Sequence, residues 1–500
     1  MSLTEKETAD LFHALKWDAK RFGQELADTA YARGLAVTNK DDGTTKAIPI
    51  TATPVIIDEA ELRRRQELAA RIASATLKMS RAVLGNPERS ELVLGGLSPL
   101  EKGFAATTFE QLETLVTTRV DFFVGETANS RLEGKQVSAL EVNATIPAMQ
   151  GYSDIAANTF LEVVGRTWGA PDHVIAGWQA RNGSNAMALY RALLSGYAQV
   201  RPGKSPSRIA LLSRRNDAQL TEQKYLLERF REWGAEADIV HPDQLSGTDA
   251  VTADGKTYDL VYRHLFVRRL EEPGMVGADY VKALLAEPNG TRAVVLNPPA
   301  SQVEVKAVFA LLSQALEDGK LAKEAKLSDV ELEAIKESVP WTRPFHGEAL
   351  TAEVIANPDR FVLKRSWDYG GRAVFVGRTR AEPGFAERTK AAYGEVLDWN
   401  ALCLRAAADP VGGGFVVQQV IDIRPEEHLL CSGPAQIPTE LYVDFSAYAS
   451  VGLDSQPKWG GVCRGSISHI VNIVGGGGVL PLITSEVAQS LLMAYRAWGK

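Results

Sequence analysis

The stretch RVDFFVGETANSRLEGKQVSALEVN, Arg119 to Asn143, constrains this chain more than any other, because it specifies a hairpin and assigns both of its faces. Two runs of strand character, Arg119 to Val124 and Gln136 to Asn143, flank the turn-rich residues Asn129 to Gly134. A symmetric hairpin centred near Arg131 sets Asp121 opposite Glu141 and Arg119 opposite Asn143. Side chains alternate along a strand, so these four polar residues share one face, while Val120, Phe122, Val124, Leu140 and Val142 form an apolar core face. Facing carboxylates repel each other by up to about 1 kcal/mol, and a cation between them resolves the conflict. Two carboxylates and an amide oxygen are hard donors suited to Mg²⁺, which keeps phosphates and water as its other ligands. The alternative for the same spacing is a surface hairpin with ordinary charges.

Five hundred residues suffice for roughly two to four domains with full cores. A chain that is 45% apolar and 23% charged has the composition of a soluble globular protein. Its net charge of −7, with no basic run interleaved with aromatics, argues against nucleic acid as a partner. No apolar run is long enough to span a bilayer and the first residues are polar and acidic, so no membrane partner and a cytoplasmic location are expected. Cys403, Cys431 and Cys463 are far apart and read as small buried hydrophobes rather than nucleophiles or zinc ligands.

The first hundred residues carry helical signals. Thr4 with Glu7, and Asp58 with Glu61, have capping-box spacing, and Leu68, Ile72, Ala75, Met79 and Val83 form a core-facing stripe that ends at Gly85 and Pro87. Beyond the hairpin a helical region runs from about Ala157 to Ala198, broken near Pro171 and Gly183, where Asn182, Ser184 and Asn185 read as a helix cap. The linker RPGKSPSR, Arg201 to Arg208, opens a different texture: RIALLS, the helix Leu220 to Trp233, ADIV, YDLVYR and AVVLNPP, then the helix Gln302 to Leu316. Apolar strands alternating with amphipathic helices imply a doubly wound parallel sheet, which binds ligands at the carboxyl ends of its strands. Arg263 and Asn297 stand at such ends and are candidate substrate contacts, with a solvated loop role as the alternative.

After SVPWTRPFHG a third texture begins with the strand FVLK, the loop RSWDYGGR and the strand AVFVG. Gly370 and Gly371 allow a sharp turn that brings backbone N–H groups to an anion, and Lys364 supplies charge beside it; a plain hairpin with a surface lysine is the bland reading. In FVVQQVID, Gln418 or Gln419 and the backbone near Val420 can meet a purine edge, and Glu426 or Glu427 a ribose hydroxyl. The last segment, LYVDFSAY followed by KWGGVCRGSISHIVNIVGGGGVLPLI, reads as antiparallel strands joined by the loop Gly475 to Gly478. Arg464 is either a paired structural arginine or a phosphate contact, and His469 reads as a core histidine.

RVD followed by LEVNATIPAMQ resembles the magnesium-binding end of the ATP-grasp ligases, D-alanine–D-alanine ligase in particular, with Ala148 where that pattern has Gly. The resemblance implies that Asp121, Glu141 and Asn143 hold Mg²⁺ and that Arg119 contacts the reacting phosphoryl or acyl group. FVLK with its Gly loop, then FVVQQV, looks like the ATP-binding lobe, with Lys364 on the phosphates and Gln418 to Val420 at the adenine. A second ATP-contacting cation is expected before Lys364, with Lys336 and Arg343 both possible. The lysine strand here follows the E-x-N motif instead of preceding it. That order is similar to the circularly permuted ATP-grasp proteins, such as glutathionylspermidine synthetase and eukaryotic glutathione synthetase, whose late arginine and glycine-rich closing loop CRGSISHIVNIVGGGG resembles; Arg464, Gly476 and Gly477 then belong to the site.

The expected fold is therefore α/β with α+β elements, a circularly permuted ATP-grasp with an inserted parallel-sheet domain and a helical N-terminal region. Residues 1–200 carry the helical region and the Mg²⁺ part, 201–318 the α/β substrate domain, 340–425 the nucleotide lobe, and 426–500 the return to the Mg²⁺ lobe. The implied activity is an ATP- and Mg²⁺-dependent carboxylate–amine ligase acting through an acyl phosphate. Its substrates would be small molecules of the amino acid, peptide or polyamine type. A nucleotide-binding regulatory protein without turnover is the alternative. A dinucleotide-dependent oxidoreductase has weak support, since no GxGxxG opens the first helix of the α/β segment.

Overall fold

The computed structural model describes residues 3–105, 116–125, 136–287, 290–368, 370–432, 435–450, 460–471 and 477–499. The expected turn at Asn129 to Gly134 and the glycines Gly475 and Gly476 lie outside the described residues.

Helix α1 (Glu5–Ala32) begins at the Thr4–Glu7 capping box, in which each side chain bonds the other residue's backbone N–H. Strand β1 is only Ile50–Thr51. Helix α2 (Glu59–Leu84) buries Leu68, Ile72, Ala75, Met79 and Val83, as their spacing requires, and ends at Gly85. Its capping signal is misread, however: the Asp58 side chain makes no cap bond and instead accepts from Ser485 Oγ. The hairpin is β2 (Thr117–Gly125) paired with β3 (Gln136–Asn143), followed by α3 (Gln150–Thr167). Two further helices, Asp172–Asn182 and Asn185–Val200, follow breaks at Pro171 and Gly183, and Ser184 caps the second by accepting from Met187 N.

The α/β segment folds as its pattern requires. Strands β4 (Ile209–Ser213), β5 (Ala237–Val240), β6 (Leu260–His264) and β7 (Val294–Leu296) form a parallel sheet in the order β7-β6-β4-β5, and α4 (Leu220–Glu232) joins β4 to β5. One apolar cluster covers each sheet face. The helix expected from Gln302 to Leu316 is broken at Val305, leaving Ser301–Glu304 and α5 (Lys306–Ala315).

A second four-stranded sheet is antiparallel, with β8 (Thr342–Pro344), β9 (Phe361–Arg365), β10 (Val374–Val376) and β11 (Phe415–Gln419) in the order β8-β11-β9-β10. The chain then returns to the hairpin. Strands β12 (Glu426–Ser432), β13 (Ala435–Ser450), β14 (Gly461–Ser466) and β15 (Gly478–Leu480) complete a seven-stranded sheet of order β12-β1-β15-β14-β13-β2-β3. Val120, Phe122, Val142, Phe445 and Cys463 turn one face of this sheet toward α2 and α5. Part of the other face packs Tyr448, Val462 and Val479 against α1 and α3. The rest of that face is polar and looks toward the second sheet.

Candidate functional site

The hairpin register is the one its alternation implies: Arg119 pairs with Asn143, Val120 with Val142 and Asp121 with Glu141. A β-bulge then shifts the pairing, so that Phe122 faces Ala139. Leu140 is the extra residue. It leaves the core face to which strict alternation assigns it and lines the cleft between the two sheets together with Phe123.

The cleft is open to solvent and spans about 910 Å³ of space free of protein atoms, open solvent included. One part of its wall is apolar, formed by Val362, Val376 and Ile421 beside Gln419 and Val420; the other carries Asp121, Glu141, Lys306, Lys364, Asp368, Asp444 and Arg464, and Ile470 and Gly371 also line it. Lys364 projects from β9 and is 9% exposed. Its ammonium donates to Gln418 Oε1 at 2.7 Å and to the Leu140 carbonyl at 3.4 Å. Burial pushes Lys364 down to about 8, with Glu141 pulling the other way and Lys306 adding repulsion.

Lys306 was not legible in the sequence as a site residue. It is the first residue of the apolar helix α5, where a lone charge at the helix start was the only signal. Its Nζ donates to the Asp368 carbonyl at 2.7 Å and lies 3.3 Å from Glu141 Oε2. The two cations considered for this role from the sequence are elsewhere. Lys336 is exposed on the helix Asp329–Ser338, and Arg343 is engaged by Ser313, Glu317 and the Trp341 ring.

Behind the lysines lies a buried charge cluster. Arg119 grips Asp121 with two bonds, Nε to Oδ1 at 2.7 Å and Nη2 to Oδ2 at 3.0 Å. Asp121 Oδ2 also accepts from Arg464 Nη2 at 2.9 Å and from Asn143 Nδ2 at 3.3 Å. Burial opposes ionisation of Asp121, but Arg119 and Arg464 outweigh it and hold the carboxyl well below the usual range. Arg464 is in turn clamped by Asp444, its cross-strand partner on β13, a residue that no sequence motif singled out. Burial pushes Asp444 up against the pull of Arg464.

The backbone leaving the hairpin is fixed from outside. Glu304 accepts from the N–H groups of Ala144 and Thr145, and burial raises its carboxyl to about 6. The left-handed residue of this loop is Met149 (φ 85°), and the Ala148 carbonyl accepts from Arg119 and Tyr448. Helix α3 lacks a cap of its own; Glu222 of α4 accepts from Gly151 N at 3.0 Å, and burial raises Glu222 to about 7.

Several expected contacts fall away from the cleft. Arg263 is 1% exposed and donates to the carbonyls of Asn297, Leu265, Thr145 and Pro298. Asn297 is equally buried and bonds the backbone of Thr117 and Ala144. The carboxyl end of the parallel sheet abuts the hairpin, and these two side chains join the two units, outside the cleft lining. Glu426 and Glu427 sit on exposed parts of β12 outside the cleft lining, Glu427 paired with Lys16. Gln418 is buried between Lys364 and Thr342 Oγ1, and Val420 N–H is committed to the Arg360 carbonyl. Gly371 lines the cleft, and Gly370 lies in a neighbouring groove; both have φ near 70°. A Cβ on Gly371 would come within 2.6 Å of Ile470. His469 lines the cleft and stacks on Tyr442, with ring centroids 4.0 Å apart, instead of lying in the core. Gly477 precedes β15, and a Cβ there would strike the Gly465 carbonyl.

No protein-family profile matches the sequence, and no curated protein sequence does. Among solved structures, the chain is similar to a glutathione synthetase-like effector from Globodera pallida in its ligand-free form. The TM-score is 0.53 and the identity 15%, over 91% of this chain and 90% of that one. It is also matched to a gamma-glutamylcysteine synthetase candidate from Methylobacillus flagellatus, at TM-score 0.36 and 11% identity over 85% of this chain and 96% of that one, a likeness too loose to carry weight. The fold is thus mixed α/β and similar to that of a glutathione synthetase-like protein. Among the described residues no helix is long and apolar enough to cross a membrane.

Among the described residues no group of three or more His, Cys, Asp or Glu side chains is placed to hold a metal ion. The expected set has only two acids, Asp121 and Glu141, with the Asn143 amide as third donor. Asp121 and Glu141 line the cleft with cations already against both carboxylates, and Asn143, on the same sheet face but outside the lining, donates its amide N–H to Asp121 and has an oxygen to offer as the third hard donor. The set fits a divalent cation that displaces those side-chain cations.

Proposed function

We propose that this protein is an ATP-dependent carboxylate–amine ligase of the circularly permuted ATP-grasp type, forming an amide through an acyl phosphate. The observation that carries the reading is the convergence of two buried lysines, Lys306 and Lys364, on Glu141 at the polar end of a cleft between two sheets. A site this rich in desolvated cations beside carboxylates suits triphosphate. Its charge then replaces the repulsion between the lysines with attraction. The base lies in the apolar end, against Val362, Val376 and Ile421 with Gln419 and Val420 at its edge.

Asp121, Glu141 and Asn143 would hold Mg²⁺, which supplies charge neutralisation on the phosphate oxygens. Lys364, fixed by Gln418, and Lys306, fixed by the Asp368 carbonyl, hold the transferred phosphoryl group in line with the substrate carboxylate. That carboxylate oxygen forms the new bond to the γ-phosphorus and ADP leaves. Arg464, which lines the cleft, faces the charge that grows on the transferred group, the main lever in phosphoryl transfer, while Arg119 holds Asp121 in place from behind. The amine nitrogen then attacks the acyl carbon, loses a proton and expels inorganic phosphate. Ile470 against Gly371 roofs the phosphate end and keeps water from the acyl phosphate.

The test is a screen of phosphate release from ATP over pairs of amino acids, short peptides and polyamines. Hydroxylamine in place of the amine should yield a hydroxamate of the true carboxylate substrate, with ADP as co-product. AMP as the stoichiometric product would overturn the reading in favour of an adenylate-forming reaction.

A further inference from the structure

Arg464 is shared unequally between two buried carboxylates. Asp444 takes its backbone N–H at 3.1 Å and its Nε at 3.2 and 3.0 Å, and also receives Nη2. Asp121 receives only that same Nη2, at 2.9 Å on Oδ2. The oxygen concerned is crowded, accepting also from Arg119 and Asn143. Asp121, Asp444, Arg119 and Arg464 together are electrically neutral, which is how four charges tolerate burial.

A divalent cation brought to Asp121 and Glu141 would lie within a few ångströms of Arg464 Nη2, where like charges in a poorly solvated site repel strongly. Arg464 must then release Asp121. Because Asp444 already holds the rest of the guanidinium, the release breaks one bond and leaves Arg464 anchored at the cleft wall. Without Asp444 the arginine would depend on Asp121 and Glu141, the two carboxylates of the metal site, to neutralise it and would compete with the metal.

Resting on the metal-dependent reading above, we infer that Asp444 is the positioning residue that draws Arg464 off Asp121, so that divalent-cation binding and the turning of Arg464 toward the cleft are one coupled step. Asp444 thereby sets the affinity of the metal site without being a ligand.

The experiment is Mn²⁺ binding to the full-length protein with saturating ADP, read by the free-Mn²⁺ electron paramagnetic resonance signal. Asp444→Asn, which keeps the shape, should weaken Mn²⁺ binding roughly 10-fold, the usual size of a coupling between sites. Arg464→Met should tighten it, and the double variant should return to within about 3-fold of wild type. Unchanged Mn²⁺ affinity in Asp444→Asn, or additive effects in the double variant, overturns the inference. Should Asp444→Asn fail to fold, Arg464→Met with Asp444 intact decides alone: affinity that does not rise refutes the competition. Failure of the ligase reading is separately visible, because wild type itself would then bind no Mn²⁺ with ADP and Glu141→Ala would change nothing.

Discussion

Replacing Lys364 with methionine should make the protein more stable while removing its nucleotide affinity. Lys364 is 9% exposed, and burial lowers its ammonium from 10.5 to about 8. At 1.36 kcal/mol per pH unit, keeping it charged at neutral pH costs the folded state about 3 kcal/mol. Methionine fills a similar volume and removes that cost, but leaves Gln418 Oε1 without its donor, a loss of about 1–2 kcal/mol. A net gain of about 1–2 kcal/mol at pH 7 remains. The folded-state value lies below the unfolded one, so the unfolded chain binds the extra proton between them and wild-type stability rises with pH across that window. The advantage of Lys364→Met is therefore full below pH 8 and fades as pH rises from 8 to 10.5, where the wild-type lysine is neutral in both states. Native-state hydrogen exchange of the β9 amides, run at several pH values, reads the local opening free energy. A variant less stable than wild type at pH 7, or a difference that does not change with pH, would refute the reasoning that Lys364 is held charged against its surroundings.

Glu141→Ala should abolish turnover and weaken Mg²⁺-dependent nucleotide binding more than about 10-fold, with an unchanged circular dichroism spectrum; retained activity in a phosphate-release assay would remove the central claim. Gly371→Ala should raise KM for ATP, because an alanine must adopt φ near 70° and push Ile470 aside. Ile470→Ala in that background should restore part of the affinity, and no recovery would show that the two loops do not interact. Arg263→Met strands four buried carbonyls, at about 1–3 kcal/mol each, partly offset by removing a cation that burial disfavours, and should destabilise the protein, while Arg263→Lys in folded protein should leave substrate KM unchanged; a selective rise in KM would return Arg263 to the substrate site.

The register of the hairpin was legible because strand parity leaves little freedom once one face must be apolar. The bulge was not, since one extra residue on one strand leaves no mark in composition, and it moved Leu140 from core to cleft. The parallel sheet could be read strand by strand from its apolar runs, but the solvated loop alternative for Arg263 and Asn297 was not what the fold provides, since both are buried against the hairpin. What lies beyond a sheet's edge is decided by residues far away in sequence. The same limit hid Lys306 and Asp444. Each enters the site from a segment whose local pattern is ordinary, an apolar helix and a long strand, and each gains its chemistry only from the partners the fold brings to it.

The seven-stranded sheet interleaves segments that leave the ribosome at very different times. Strand β1 is seated between β12 and β15, and β2 finds its second neighbour only when β13 arrives. During synthesis the hairpin therefore waits with the backbone N–H and C=O groups along the edge of β2 unpaired, a template for joining strands of other chains. The parallel unit between them draws all four of its strands from residues 209–296 and can close first. Translation speed and holding chaperones should thus govern the yield of this protein more than its final stability does, and chains cut short before β13 should aggregate through β2 while keeping a folded α/β unit.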